Sequence, residues 1–208
     1  EEYAEQGKFD NLTATEGAND TLIVTATYKL GSLQKAEWHI APDGGARLVY
    51  SYIFNGVVDL MGVKFDLPET EVKHKEWLGC GPYRVWKNRI HGPQLGVWAN
   101  DYNDPVPGES FDYPEFKGYF AGVQWMKLQT KTGMITICPG TDKDYVGVYQ
   151  PRDGRDQLLY TLPETGISMM QVIPAVRNKV NTTDLNGPSA QPVWANGSYT
   201  GEVTLHFD

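Results

Sequence analysis

The 208-residue sequence is short of cysteine, of positive charge and of long apolar runs. It contains two cysteines, Cys80 and Cys138, which do not make a disulfide framework, although they could pair across a long loop. Its net charge of −8 argues against nucleic acid or an anionic membrane as a partner, because both require a basic surface. No run of 18 apolar residues occurs, so the sequence predicts no membrane-spanning helix.

Signatures of metal or phosphate chemistry are equally scarce. The four histidines lack the spacing of a zinc site, and there is no glycine loop of the phosphate-cradling type. Asp101, Asn103 and Asp104 offer oxygen ligands as a calcium loop does, but the run lacks the glycine and the distal glutamate of an EF-hand. Because Asp/Asn-rich turns are common without metal, calcium is a weak hypothesis and we expect no cofactor.

The sequence does contain the composition and patterning of an all-β domain. A hydrophobic content of 40% and a charged content of 21% are typical of a folded chain. Residues 21–30 alternate between apolar and polar side chains, and residues 33–40 and 46–55 flank PDGG, a strong hairpin signal. Further strands are predicted at 61–67, 72–78, 94–99, 119–130, 133–138, 144–149, 157–162, 167–174 and 199–207. Short strands separated by turn signals favour one antiparallel sandwich or barrel, with two long polar stretches, 100–118 and 178–197, as functional or flexible loops.

Aromatic and cationic side chains are concentrated in the segment WLGCGPYRVWKNR, residues 77–89. A sugar site combines an aromatic platform for C–H bonds with amide, carboxylate or guanidinium groups for hydroxyls. Tyr83, Arg84, Trp86, Asn88 and Arg89 supply that mixture within seven residues. The alternative is that the aromatic rings fill a core beneath a loop. We expect a core position for Trp77 and Trp125, whereas Trp86 stays open between core and platform.

Residues 56–89 carry a family resemblance. Within this range the sequence LMGVKFDLPETEVKHKEWLGCGPYRVWKNR, residues 60–89, resembles the C-terminal domain of glycoside hydrolase family 2 β-galactosidases. There, a strand of the pattern hydrophobic-Gly-x-x-(Phe/Leu)-x-Leu-Pro leads into a Trp-x-Gly-x-Gly-Pro-x-Glu-x-Tyr-x-Asp-Arg turn. The matching residues are Gly62, Leu67, Pro68, Trp77, Gly79, Gly81, Pro82 and Arg89. YPEFKG at 113–118, Trp125 and DLNGP at 184–188 resemble later landmarks of the same family.

The resemblance implies a large antiparallel β-supersandwich related to the galactose mutarotase fold. In those enzymes the domain packs beside a catalytic (β/α)₈ barrel, which carries both catalytic glutamates, and its loops help to line the substrate pocket. We therefore expect residues 1–208 to be one domain of a larger glycoside hydrolase, excised from its C-terminal part and without catalytic residues of its own. Its expected partners are carbohydrate and the barrel, and its expected location is periplasmic or secreted.

Departures from the family pattern bear on the expected ligand. Arg84, Trp86 and Asn88 stand where the family has Glu, Tyr and Asp, which could suit an acidic or differently substituted sugar. The family's pocket tryptophan falls at Asn186, and Trp194 is a candidate to replace it in space. The full set of predicted carbohydrate-binding residues is Tyr83, Arg84, Trp86, Asn88, Arg89, Glu115, Lys117, Asn186 and Trp194.

Two other functions compete with an accessory domain. A freestanding aldose 1-epimerase of the mutarotase class needs a histidine acid and a glutamate base on facing strands. His39 or His91 would then have to meet a carboxylate in one cleft. The remaining alternative is a freestanding carbohydrate-binding module, or a structural sandwich with no pocket.

Overall fold

The computed structural model describes residues 7–67, 71–101, 118–148, 166–176 and 185–208. Within these ranges the chain forms twelve β-strands, two short 3₁₀ turns at Ala18–Asp20 and Pro188–Ala190, and no α-helix. The strands are β1 (Lys8–Glu16), β2 (Leu22–Leu30), β3 (Leu33–Ile40), β4 (Gly45–Val58), β5 (Met61–Asp66), β6 (Val72–Gly81), β7 (Gln94–Asp101), β8 (Trp125–Thr130), β9 (Met134–Pro139), β10 (Tyr145–Gly147), β11 (Gly166–Val172) and β12 (Val193–Phe207). No segment of the described ranges is an apolar helix of membrane-spanning length.

The strands form two sheets in which neighbours are antiparallel. A nine-stranded sheet has the order β1-β2-β3-β4-β12-β9-β8-β6-β7, and a three-stranded sheet has the order β10-β11-β5. The long strands β4 and β12 pair without a register shift from Gly45↔His206 to Val58↔Val193 and form the middle of the large sheet. The predicted all-β fold with a large antiparallel sheet is confirmed.

The predicted hairpin at PDGG joins β3 to β4. Its turn is closed by hydrogen bonds from the Ala41 amide to the Gly45 carbonyl at 2.8 Å and from the Gly44 amide to the Ala41 carbonyl at 3.1 Å. Gly44 has a φ of 88°, a conformation that costs a glycine little, and the Asp43 carboxylate accepts a 2.9 Å bond from the Gly45 amide. Turn chemistry visible in the sequence thus sets the register of this strand pair.

The main core lies between the two sheets. Leu48, Tyr50 and Tyr52 alternate along β4 and are all buried, as the period-two pattern predicts. Trp77 is also buried, and its ring meets Phe120 edge-on at 4.8 Å, which confirms the core prediction for this residue. The same prediction is wrong for Trp125. Along β8, Met126 and Leu128 are buried and face the core, whereas Trp125 lies half-buried on the opposite face of the strand.

Three strands of the structure differ from the prediction. β1 was not predicted, because KFDNLTATE has a weak apolar alternation and all nine residues are exposed. The predicted strand 119–130 is shorter: β8 begins at Trp125, while Tyr119 and Phe120 make isolated bridges to Val85 and Val146. β12 begins at Val193, inside the predicted loop 178–197. The predicted strand 157–162 lies outside the described residues. Both cysteines are free thiols.

Candidate functional site

The predicted sugar-binding segment follows the C-terminal end of β6. The Gly81–Pro82 peptide is cis, and a Cβ atom on Gly81 would lie 2.5 Å from the Trp98 ring, so this close approach requires glycine. Val85 then exchanges two backbone hydrogen bonds with Tyr119, at 2.8 and 2.9 Å. Trp86 and Arg89 exchange two more, at 3.2 and 2.8 Å, and close a tight turn over residues 86–89.

Trp86 lies beneath this turn, in a second core cluster. Its exposed fraction is 0%, and its ring meets Tyr119 edge-on at a centroid distance of 6.0 Å. Met170, Ile173 and Val176 belong to the same cluster. Of the two positions left open for Trp86, the structure shows the core position, and the prediction of Trp86 as a carbohydrate-binding residue is wrong: backbone bonds on both sides of the residue hold its ring inside the protein, where no sugar can reach it.

Arg84 is buried as well, with 4% of its surface exposed. Its guanidinium carbon lies 5.1 Å from the centre of the Phe120 ring, a cation–π contact. The expectation of a surface guanidinium that reaches sugar hydroxyls is corrected for this residue too. A planar, weakly hydrated guanidinium tolerates such an aromatic contact better than an ammonium group does.

Asn88 connects the turn to the segment 173–176. Its side-chain amide donates to the Val176 carbonyl at 2.7 Å and accepts from the Val176 amide at 2.9 Å, so it replaces a strand neighbour for that residue. The Asn186 amide donates to the same Val176 carbonyl at 3.4 Å. Two predicted site residues that are distant in sequence therefore meet at one backbone group, and both amides already have protein partners.

Lys87 adds two more connections. Its backbone amide donates to the Pro174 carbonyl at 2.9 Å, and its ammonium group donates to the Gln191 carbonyl. We name the three segments 86–89, 173–176 and 186–191 the turn clasp. Gly118 packs closely against Val85, next to the turn clasp. A Cβ at position 118 would lie 2.4 Å from the Val85 carbonyl oxygen, and the φ of Gly118 is 147°, so this position requires glycine.

The remaining predicted residues lie at the surface near the clasp or outside the described ranges. Tyr83 is 49% exposed, and Arg89 is exposed on the 86–89 turn. Trp194, which was expected on a loop, lies at the start of β12 opposite Val57 and is 72% exposed. Glu115 and Lys117 lie outside the described residues.

Trp194 has two amide side chains as neighbours on its sheet face. Asn196 follows it at the next outward position of β12 and pairs across the ladder with Asn55. The Asn55 side-chain oxygen accepts a 2.9 Å bond from the Gly197 amide. An exposed indole beside two amides provides the elements that recognise an apolar sugar face and its hydroxyl rim.

The geometry required of an epimerase is not present at His39. Its Nε2 atom lies 2.9 Å from the Glu37 carboxylate, and both residues are on β3. That hydrogen bond, together with Lys35, holds the pKa of Glu37 below its ordinary value, which weakens it as a base. An acid and a base bonded to each other on one strand do not flank a substrate. The described residues show no carboxylate partner for His91, which is exposed.

The calcium hypothesis stays a prediction, because two of its three residues lie outside the described ranges. Asp101 is exposed, and its carboxylate lies 3.6 Å from a ring nitrogen of His74. Asn103 and Asp104 lie outside the described residues. Within the described ranges, no group of three or more His, Cys, Asp and Glu side chains is arranged to hold a metal ion.

One polar cluster was not predicted. Asp144 is buried, and burial raises the pKa of its carboxyl above the ordinary value of 3.8. Burial and this carboxylate also raise the pKa of Tyr50 and Tyr52. The Tyr52 hydroxyl donates to Gln171, whereas the Tyr50 hydroxyl has no partner among the described residues. The inward tyrosines are visible in the alternation of β4, but nothing in the sequence marks Asp144.

The large nine-stranded antiparallel sheet and the smaller sheet of three strands define an all-β domain of the β-supersandwich class. The family model for the β-galactosidase small chain matches residues 2–175. Because the match spans more than half of the sequence, the chain belongs to the β-galactosidase small chain family. It is a domain associated with a glycoside hydrolase, and a small chain implies association with a larger catalytic part. A search among curated proteins found no match.

Proposed function

We propose that the chain is a non-catalytic accessory domain of a family 2 glycoside hydrolase and that it works beside a catalytic barrel. Membership of the small chain family supports this proposal. So does the site: the predicted cationic and amide residues Arg84 and Asn88 are used to hold the protein together. An accessory domain needs only a few rigidly held contact residues, whereas a catalytic domain needs a nucleophile and an acid.

The proposed carbohydrate contacts are the exposed side chains of Trp194, at the start of β12, and of Tyr83, in the segment that follows β6. The observation that carries this proposal is the 72% exposure of Trp194 on a sheet face beside Asn55 and Asn196. A large aromatic in water gains from covering its face, and sugar C–H groups do this while amides bind the hydroxyls. The clasp anchors the segment that leads into β12 through the bond from Lys87 to Gln191.

Calorimetry with galactose, lactose and a β-linked galacto-oligosaccharide tests the contact. We expect Trp194→Ala to weaken binding of whichever sugar binds best by about tenfold, the equivalent of one stacked aromatic contact. Phe9→Ala is the matched control, because Phe9 is an exposed aromatic on β1 at the far edge of the sheet. The sugar affinity of Phe9→Ala should stay within about twofold of wild type, because the effects of distant sites are usually independent.

Equal affinities of wild type and Trp194→Ala would refute the carbohydrate contact. Absence of binding to all three sugars would leave packing against the catalytic part as the function of the domain. Strong binding by the chain alone, lost in Trp194→Ala, would favour a freestanding carbohydrate-binding module.

A further inference from the structure

The first two strands form a ribbon at one edge of the large sheet. β1 is the edge strand, and it pairs with β2 from Lys8↔Leu30 to Glu16↔Leu22. All nine residues of β1 are exposed, in contrast to the alternation of buried and exposed residues along β4 and β6. We name β1 and β2 the edge ribbon.

The edge ribbon is amphipathic. Pairing places Leu12 opposite Ala26 and Leu22 opposite Ile40, on the side of the sheet that carries the core residue Leu48. Four large apolar side chains that are between 39% and 57% exposed share this side, namely Phe9, Leu12 and Leu22 of the ribbon and Ile40 of the neighbouring strand β3. The opposite side of the ribbon carries the polar residues Thr13, Thr15, Thr25 and Thr27, together with one large apolar residue, Ile23. One side of the ribbon is therefore patterned for burial.

The second sheet stops before it reaches the ribbon. Its last strand is β5, and Phe65 of β5 meets Trp38 of β3 edge-on at 5.9 Å. β3 is the third strand from the edge of the large sheet, so β2 and β1 lie beyond β5, the strand of the small sheet that packs on β3. Within the described residues, the core side of the ribbon therefore continues the apolar interior without a layer above it.

The size and chemistry of this side indicate a protein partner. Nine residues at about 3.3 Å each give a ribbon about 30 Å long, and two strands are about 10 Å wide. The exposed apolar area is on the order of 400 Å², at which such a patch commonly marks an interaction site. Leucine and isoleucine offer no hydrogen bonds, so this side does not suit a sugar, whose hydroxyls need polar partners.

We propose that the core side of the edge ribbon, formed by Phe9, Leu12 and Leu22 and continued by Ile40 of β3, docks the larger catalytic part of the β-galactosidase to which this chain belongs. The assignment rests on the proposed accessory function, which requires an interface with that part. The catalytic part is the occupant because the family makes it the partner of a small chain, and because the surface is continuous with the core. The surface is distinct from Trp194, which lies on the opposite side of the sheet.

Association of the 208-residue chain with its separately produced catalytic part, followed by biolayer interferometry, tests the assignment. We expect Leu12→Lys to weaken the association by about tenfold, the equivalent of about 1.4 kcal/mol. Thr13→Lys is the matched control, since it adds the same charge one residue away on the opposite side of the ribbon. The affinity of Thr13→Lys for the catalytic part should stay within about twofold of that of wild type.

A second measurement guards against a local folding defect in Leu12→Lys. Amide hydrogen exchange of the wild-type chain should show slower exchange in β1 and β2 when the catalytic part is bound. Association unimpaired by Leu12→Lys, without such protection, would overturn the assignment while leaving the accessory function in place. No association of wild type would overturn both. Concentration-dependent dimerisation of the chain alone, abolished by Leu12→Lys, would assign the surface to a second copy instead and also overturn the proposal.

Discussion

Replacing Trp86 by alanine is the sharpest test of the site geometry. The ring is fully buried in the cluster with Tyr119, Met170 and Ile173. Loss of a core tryptophan costs about 3–5 kcal/mol, because the transfer free energy is lost and a cavity remains. The edge-on contact with Tyr119 accounts for about 0.5–1.5 kcal/mol of that. The cavity cannot collapse easily, since backbone bonds on both sides of Trp86 hold the turn in place.

Thermal and urea unfolding of the purified chain measure this cost. For a chain of this length, 1 kcal/mol corresponds to about 2–4 °C in Tm, so we expect Trp86→Ala to lower Tm by about 6–20 °C. The urea midpoint should fall in proportion, with an unchanged dependence on denaturant if only stability is altered.

Trp194→Ala provides the control for the same chemical change at the surface. Because Trp194 is 72% exposed, its removal should change stability by about 0.5 kcal/mol or less. A loss below about 1 kcal/mol in Trp86→Ala would refute the core assignment. If that variant also lost sugar affinity at native stability, Trp86 would regain the role of a sugar platform.

Two further predictions concern groups that the sequence alone does not explain. Asn88→Leu removes the side-chain partner of the Val176 amide and leaves the Val176 carbonyl with only the 3.4 Å bond from Asn186, so it should cost about 1–3 kcal/mol in urea unfolding; an unchanged midpoint would show that water replaces the amide. Asp144→Asn tests the raised pKa of the buried carboxyl. The folded state holds this proton more tightly than the unfolded state, so the wild-type free energy of unfolding should fall as pH rises through the raised pKa. The variant lacks this step, and its stability relative to wild type should increase with pH in thermal unfolding; a constant difference would contradict the assignment.

Local patterns predicted most of the strands and one turn. The alternation of Leu48, Tyr50 and Tyr52 and the PDGG hairpin are decided by neighbouring residues, and both are found as expected. β1 was missed because only Phe9 and Leu12 of its nine residues are large and apolar, and the register shift between Phe9 and Asn11 breaks the period of two between them. Its strand conformation is decided by pairing with β2.

The candidate site was predicted less well, for a related reason. Asn88 and Asn186 were both singled out, and the structure brings them to the same Val176 carbonyl. The predicted roles of Trp86 and Arg84 as sugar contacts were wrong, because residue type alone does not show whether a side chain lies on the exposed side of a turn or is buried beneath it. Burial of both residues depends on partners at 119–120 and 170–176, far away in sequence.

By itself, the sequence determined the all-β class, the hairpin register, the acidic character and the family resemblance of the segment around Trp77. These follow from residue periodicity, turn chemistry and charge, which act over a few residues or over the whole composition. Only the tertiary structure decided that Trp86 lies inside, that Trp194 lies on an open sheet face and that the apolar side of β1 and β2 extends past the second sheet. Burial depends on which strands and turns cover a side chain, and that is set by contacts between distant parts of the chain.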